Sequence, residues 1–164
     1  MIAHGGYWAL TVLVLVADRA SKLAATHFLD YNSPVPVLPS LNLTLVHNTG
    51  AAFSILRDAG GWQRWLFTGV AILVSIVVVQ WIRQTPPERR LLLVGLALVL
   101  AGALGNLYDR VALGYVVDFI DVYYRQFSWP AFNIADSAIC VGAGALILDA
   151  FQGEDSRDQA GGAL

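Results

Sequence analysis

Four apolar stretches, each long enough to cross a lipid bilayer, constrain this chain more than any other feature of its sequence. They cover about residues 7–27, 65–82, 91–108 and 131–151. A helix rises 1.5 Å per residue, so about 20 residues cross a hydrocarbon core about 30 Å thick. Only 13% of the residues are charged, whereas a soluble domain has about 25%. The sequence predicts a single, mainly α-helical membrane domain over residues 1–152, with four transmembrane helices.

The residues that flank these stretches predict their orientation. All five tryptophans fall near the ends of the spans, where an interfacial aromatic belt would place them. The short connection 83–90 contains three arginines, and positively charged short loops stay on the cytoplasmic side. We therefore expect both termini in the cytoplasm, and residues 28–64 and about 110–130 outside it. The polar, glycine-rich end of the chain, residues 153–164, is expected to be a disordered cytoplasmic tail.

The outer segment 28–64 predicts a small β element beside the helices. Three prolines between residues 34 and 39 exclude a helix at its start. Residues 41–46 alternate between apolar and polar side chains, which is typical of a half-buried strand. Residues 51–56 suggest a second strand, with a turn over 48–50 between the two. A short helical turn is expected over 59–63.

Two aspartates at neighbouring span ends are the leading candidates for chemistry. Asp118 follows the third span, and Asp136 lies at the start of the fourth. Carboxylates are costly in hydrocarbon, so they usually face a bundle interior or a water-filled site. Two carboxylates that share one proton can activate water, and their like charges split the apparent pKa values of the pair. Spacing alone leaves an alternative open, in which both are capping or surface carboxylates and Asp136 caps the fourth helix.

The first span contains an acid and a base on one helical face. Asp18 and Lys22 lie four residues apart, so they are expected to form a structural ion pair. A Ser–Lys catalytic dyad would need Lys22 to be neutral. The neighbouring Asp18 favours the charged lysine, which argues against that chemistry.

Several polar residues near the same span ends are candidates for shaping the site. Asn106 precedes Asp109 by three residues, on the same face of the third span. The guanidinium of Arg110 is expected to pair with Asp109 or another nearby carboxylate. Asn48 and Asn133 carry amides that could hold a substrate carbonyl or satisfy backbone groups, and position alone does not choose between these roles.

Other chemistries find little support in the sequence. The single cysteine, Cys140, lies in an apolar run and is interpreted as a small packing residue. His4, His27 and His47 do not cluster with other ligands, so neither a metal ion nor another cofactor is expected. The net charge of −2 gives no reason to expect a nucleic-acid partner.

Five segments together resemble signal peptidase II, the bacterial lipoprotein signal peptidase. They follow the order of that family and extend over most of the chain. The segments are Asp18-Arg-Ala-Ser-Lys22, Asn48-Thr-Gly-Ala-Ala-Phe-Ser54, Gly102-Ala-Leu-Gly-Asn-Leu-Tyr-Asp-Arg110, Val116-Val-Asp-Phe119 and Phe132-Asn-Ile-Ala-Asp-Ser137. Arg19 departs from the pattern, because the family commonly has glutamine there, and the sequence does not indicate its partner.

The resemblance implies an aspartic endopeptidase of the cytoplasmic membrane. Such enzymes remove signal peptides from prolipoproteins, cutting before a cysteine that carries a diacylglyceryl group. The family's catalytic dyad matches Asp118 and Asp136. Family positions around the site match Asn48, Asn106, Asp109, Arg110 and Asn133, while Asp18 and Lys22 match positions expected to be structural. The implied partners are prolipoproteins and membrane lipids, the implied site faces the exterior, and a monomer is expected.

Two other classes of function remain as alternatives at this point. A small transporter or channel would use Asp18, Lys22 and Asp109 as a proton or ion relay. That alternative favours carboxylates near the middle of a span, whereas the acids here gather at the outer ends. A non-catalytic assembly factor would keep its function when either member of the aspartate pair is replaced by asparagine.

Overall fold

Four long helices form the frame of the protein, as the sequence predicted. The computed structural model describes residues 4–50 and 61–161. The helices are α1 (Gly5–Phe28), α2 (Trp62–Gln84), α3 (Arg90–Ala112) and α4 (Ile134–Gly161). Each begins or ends within a few residues of its predicted span, except at the far end of α4.

Three of these helices meet the length and hydropathy expected of a membrane span: α2, α3 and the part of α4 up to residue 152. The helix α1 is also long, with 24 residues, but it contains Asp18, Arg19 and Lys22 within one turn and a half. Both Asp18 and Lys22 are buried against neighbouring helices. The charges of Asp18 and Lys22 are therefore enclosed by protein rather than exposed to lipid, whereas the side chain of Arg19 is partly exposed.

The third helix is the centre of the bundle. It packs against α1, α2 and α4. Within the 18-residue apolar stretch of each helix, 61% of the residues are buried in α3, compared with 22% in α2 and 17% in α4. Small residues make this possible. A Cβ atom on Gly102 would lie 2.6 Å from Cγ1 of Ile139 and nearer still to the Ala135 carbonyl oxygen. Only glycine permits α3 and α4 to approach this closely at this position.

A four-stranded antiparallel sheet covers one end of the bundle. Its strands are β1 (Val35–Leu38), β2 (Leu41–Asn48), β3 (Val116–Tyr124) and β4 (Phe127–Ser128), in that spatial order. The strand predicted over residues 41–46 is confirmed within β2. The strand predicted over 51–56 and the start of the helical turn predicted over 59–63 lie outside the described residues.

The strand β3 was missing from the sequence prediction, which treated residues 110–130 as a connection. Its sequence, Val-Val-Asp-Phe-Ile-Asp-Val-Tyr-Tyr, is rich in the β-branched and aromatic residues that favour strands. It pairs with β2, so that Val46 lies opposite Asp118 and Asn48 lies opposite Val116. Asp118 is therefore held on a sheet and not in a loop.

The end of α4 also differs from the prediction. The helix continues to Gly161, whereas a disordered tail was predicted from residue 153. Extending an existing helix needs no new nucleus, and residues 154–160 include neither glycine nor proline. The boundary between apolar span and polar tail, near residue 152, thus does not coincide with a helix end.

Contacts at the other end of the bundle tie the four helices together. The ring nitrogen Nε2 of His4 lies 3.0 Å from the carbonyl oxygen of Thr85, which joins the start of α1 to the end of α2. Arg89 forms an ion pair with Asp149, which joins the start of α3 to α4. The sheet lies at the opposite end, where α1 and α3 end and α4 begins.

Candidate active site

Backbone pairing brings the two leading aspartates to the same place. Asp118 lies on β3 and Asp136 in the first turn of α4. The segment before α4 returns to β3: the Phe132 N–H donates to the Ile120 carbonyl (3.0 Å), and the Ile120 N–H donates to the Phe132 carbonyl (2.8 Å). Since α4 begins two residues after Phe132, its first turn is fixed beside Asp118.

Asn133 and Asp136 form a reciprocal cap at the start of α4. Asn133 Oδ1 accepts a hydrogen bond from the Asp136 N–H (2.9 Å), and Asp136 Oδ2 accepts one from the Asn133 N–H (3.2 Å). This is the capping-box arrangement, with Asp136 at the third helical position. Its other oxygen, Oδ1, accepts a hydrogen bond from Asn106 Nδ2 (2.7 Å). The capping role and the site role therefore belong to the same carboxylate.

The amide of Asn133 also reaches the other aspartate. Its Nδ2 donates to Asp118 Oδ1 at 2.7 Å, and the side chain is fully buried. The same residue thus contacts Asp118 through its side chain and Asp136 through its backbone N–H. A single buried amide links the positions of the two carboxyl groups.

Asp118 is enclosed by amide donors. Its Oδ2 accepts a hydrogen bond from Asn48 Nδ2 (2.9 Å), and Asn48 Oδ1 in turn accepts one from the Gly50 N–H (3.0 Å). Burial and then the charge of Asp136 raise the pKa of Asp118, the amides of Asn48 and Asn133 oppose the rise, and the net value is about 7. At neutral pH the carboxyl group is therefore close to half protonated, as a proton-sharing pair requires.

Lys22 is the hub of a buried charge network behind this pair. The ion pair predicted with Asp18 is confirmed, with Nζ 2.9 Å from Asp18 Oδ2. Nζ also lies 2.9 Å from Asp109 Oδ2 and 3.1 Å from Asn106 Oδ1. An ammonium group has three hydrogens, and each has an acceptor here. With all three of these positions occupied, this geometry favours neither a general base nor a proton relay.

The carboxylates of the network hold the chain next to each aspartate of the pair. Asp18 Oδ1 accepts a hydrogen bond from the Ala135 N–H (2.9 Å), one residue before Asp136. Asp109 Oδ2 accepts one from the Val117 N–H (3.2 Å), one residue before Asp118. The network therefore fixes both backbone segments from which the two carboxyl groups project.

The structure shows the partners of Arg19, which the sequence did not indicate, and of Arg110. Arg19 Nη1 lies 3.4 Å from Asp109 Oδ1, and the guanidinium lies 4.7 Å from the centroid of the Tyr108 ring. Among the described residues, no carboxylate lies within salt-bridge distance of Arg110, so the expected pair with Asp109 is not formed. Arg110 donates instead to the Asn106 carbonyl at 3.3 Å. Consecutive residues on a helix point in different directions, so Asp109 faces Lys22 and Arg110 faces the other side.

The pair faces a cavity of about 530 Å³. Its polar lining comes from Asn48, Asn106, Arg110, Asp118, Asp136 and Ser137. Its apolar lining includes Val116, Trp129, Pro130, Ala131, Phe132, Ile139 and Val141. The arrangement suits a peptide bond held at paired carboxyl groups, with apolar substrate groups against the opposite wall.

The sequence analysis did not identify Ser137 and Cys140 as residues that line the cavity. Cys140 is exposed and borders the cavity, so its interpretation as a packing residue is wrong. Cys140 follows Asp136 by four residues, and Ser137 follows Asn133 by four, which places each on the helical face of a site residue. That spacing was the signal in the sequence from which both residues could have been identified. His47 precedes Asn48 and stacks on Tyr115 with ring centroids 4.0 Å apart, on the other face of β2.

Comparisons with known proteins agree on one family. The family model described as signal peptidase (SPase) II matches residues 10–152. The lipoprotein signal peptidase of Acinetobacter baylyi is 52% identical over 157 residues, covering 95% of this chain and 88% of that protein. That of Acinetobacter baumannii is 56% identical over 155 residues, covering 94% and 88%. A bacterial membrane enzyme solved by the in meso method at 2.3 Å matches with a TM-score of 0.81 and 32% identity, covering 90% and 88%.

Proposed function

The chain belongs to the signal peptidase II family, and we propose that Asp118 and Asp136 are its catalytic pair. It is a multi-pass bacterial membrane protein and an aspartic peptidase that removes signal peptides from prolipoproteins. The observation that carries the proposal is the buried Asn133, whose side-chain amide donates to Asp118 and whose backbone N–H donates to Asp136 at one end of a cavity.

The two aspartates divide the acid and base roles. Asp136 is the more exposed of the two and is the ionised member, which takes a proton from water as the water oxygen attacks the scissile carbonyl carbon. Asp118, buried and with its pKa raised to about 7, holds the shared proton and donates it to the carbonyl oxygen. When the tetrahedral intermediate collapses, Asp136 passes its proton to the leaving nitrogen. Asp118 takes back a proton from one hydroxyl group of the intermediate, whose oxygen becomes the carbonyl oxygen of the new carboxyl group.

The surrounding polar residues orient this pair. Asn48 and Asn133 each donate to Asp118, and Asn106 donates to Asp136, so three amides fix the directions of the carboxyl oxygens. Asp109 supports the site from behind, together with the structural ion pair of Asp18 and Lys22. Arg110 lines the cavity within the field of the paired carboxylates, where it stabilises negative charge as the reaction proceeds.

The site lies on the outer side of the membrane, with both termini in the cytoplasm. The arginine-rich connection 83–90 supports this orientation, since it lies at the end of the bundle opposite the sheet and cavity. A substrate cysteine that carries a diacylglyceryl group would then keep its acyl chains in the outer leaflet while the preceding bond enters the cavity. A single chain supplies both carboxyl groups and their amide donors, which supports a monomer as the functional unit.

Replacement of either carboxyl group tests the assignment. Asp118→Asn and Asp136→Asn should each abolish cleavage of a lipidated precursor in proteoliposomes, because an amide cannot exchange the required proton. Asp121→Asn is the matched control: Asp121 lies on the same strand but bonds to Asn42 (3.0 Å) and Ser128 (2.8 Å), away from the pair. Near-normal cleavage by either dyad variant, with folding checked by circular dichroism, would refute the proposal.

A further inference from the structure

Arg64 bonds to the end of a neighbouring helix. Although it belongs to the first turn of α2, its Nε–H donates to the Arg110 carbonyl (2.8 Å), and Nη2–H donates to the Val111 carbonyl (3.0 Å). A cation is unfavourable at the N-terminus of its own helix and favourable at the C-terminus of another. The position of Arg64 is therefore explained by the last turn of α3 and not by α2.

The residue one turn further along α2 contacts the same site residue. The guanidinium of Arg110 lies 5.5 Å from the centroid of the Phe67 ring. Phe67 follows Arg64 by three residues, so both lie on one face of α2. Arg64 thus holds the backbone of Arg110, while Phe67 lies against its charged side chain.

These contacts connect α2 to a residue that lines the cavity. Within residues 4–50 and 61–161, no residue of α2 lines the cavity, and α2 packs chiefly against α3. Arg110 does line the cavity and lies in the field of Asp118 and Asp136. Among the described residues, the contacts of Arg64 therefore reach the cavity through the end of α3 and the turn that follows it.

The connection from α3 to β3 is also built around Arg64. Gly114 has a φ of +89°, and a Cβ atom at that position would lie 3.3 Å from Arg64 Nη1. The left-handed backbone allows the chain to turn closely over the guanidinium before β3 begins at Val116. Arg64 is thus enclosed between the last carbonyls of α3 and the turn that leads to Asp118.

We propose that Arg64 and Phe67 are positioning residues that hold the Arg110 guanidinium in the cavity for the cleavage reaction. The inference rests on the proposed role of Arg110 in the site. Arg64 acts on the backbone of the last α3 turn, and Phe67 provides an apolar, electron-rich face against which the guanidinium stays oriented. Neither residue needs to contact the substrate.

A kinetic comparison in proteoliposomes tests the proposal. Loss of a charge-assisted hydrogen bond lowers a rate about tenfold, so Arg64→Ala should lower kcat by about that factor with a smaller change in KM. Arg64→Lys should recover part of kcat, since one cationic donor remains at the end of α3, and Phe67→Leu should also lower kcat. Leu66→Ala, in the same turn but exposed, is the control and should keep the wild-type rate.

A double-mutant cycle distinguishes positioning from a general loss of stability. If Arg64 acts through Arg110, the effect of Arg64→Ala on kcat should largely disappear in an Arg110→Gln background. An equal loss in both backgrounds, or an unchanged kcat in Arg64→Ala, would overturn the inference while leaving the role of Arg110 intact. An unchanged kcat in Arg110→Gln alone would overturn the role of Arg110 and, with it, this inference.

Discussion

Asp118→Asn should make the protein more stable as well as inactive. Asp118 is 2% exposed, and burial and the nearby Asp136 raise its pKa from 3.8 to about 7. Between these pH values the folded protein retains a proton that the unfolded chain releases. The free energy of unfolding therefore falls as the pH rises from about 4 to about 7. An asparagine does not ionise, so the free energy of unfolding of the variant does not fall with pH for this reason.

The size of the effect follows from the shift in pKa. A rise of about 3 pH units corresponds to about 4 kcal/mol, at 1.36 kcal/mol per unit. About 3 kcal/mol of this is lost between pH 5 and pH 8. The amides of Asn48 and Asn133 bind the ionised Asp118 more strongly than its neutral form, and the pKa of about 7 already includes that preference. The difference between the two pH values therefore measures the ionisation of the coupled pair of Asp118 and Asp136, to which Asp118 no longer contributes in the variant.

Thermal unfolding in detergent at pH 5 and pH 8 measures this difference. For a chain of this length, 3 kcal/mol corresponds to a shift of about 6–12 °C in Tm. The advantage of Asp118→Asn over the wild type should grow by that amount from pH 5 to pH 8. Asp121→Asn, which leaves a donor at Asn42 or Ser128 without its acceptor, should lower Tm at both pH values. A change in Tm for Asp118→Asn that is the same at both pH values would refute the reasoning.

Two further predictions concern the packing and charges behind the site. Gly102→Ala should separate α3 from α4 at Ala135, cost about 1–3 kcal/mol, and lower cleavage by up to about 100-fold because Asp136 moves with α4. Cleavage of a lipidated precursor measures the effect of Gly102→Ala, and Gly144→Ala is the control because a Cβ at Gly144 meets nothing within 4 Å. Equal losses in the two variants would contradict the packing argument. Lys22→Met should destabilise the protein by about 3–5 kcal/mol because it leaves buried carboxylates unpaired, and a Tm within 2 °C of the wild type would rule this out.

The features that the sequence predicted well depend on local pattern. Span length and hydropathy located all four helices, and the i, i+4 spacing of Asp18 and Lys22 was enough to predict their ion pair. The alternation over residues 41–46 likewise identified β2. In each case the relevant neighbours lie within one turn or one strand, so the chain itself determines the geometry.

The features that were missed depend on distant partners. The strand β3 exists as part of a sheet because it pairs with β2, which lies about 70 residues earlier in the chain. The expected pairing of Arg110 failed for the same reason: Asp109 is bound by Arg19 and Lys22, which come from a helix about 90 residues away. Sequence order placed Asp109 and Arg110 side by side, whereas helical geometry directs them to different neighbours.

The spacing of Asp18 and Lys22 has a consequence for how the protein is made. Both residues belong to α1, so each has its counter-charge as soon as that helix forms, before α3 has been synthesised. We expect Asp18 and Lys22 to enter the bilayer as a neutral pair, which an isolated lysine would not allow. The bond from Asp18 to Ala135 can form only when α4 arrives. On the proposed assignment of Asp136, the peptidase site is completed only when α4 is inserted, so a nascent chain that ends before α4 should not cleave a precursor.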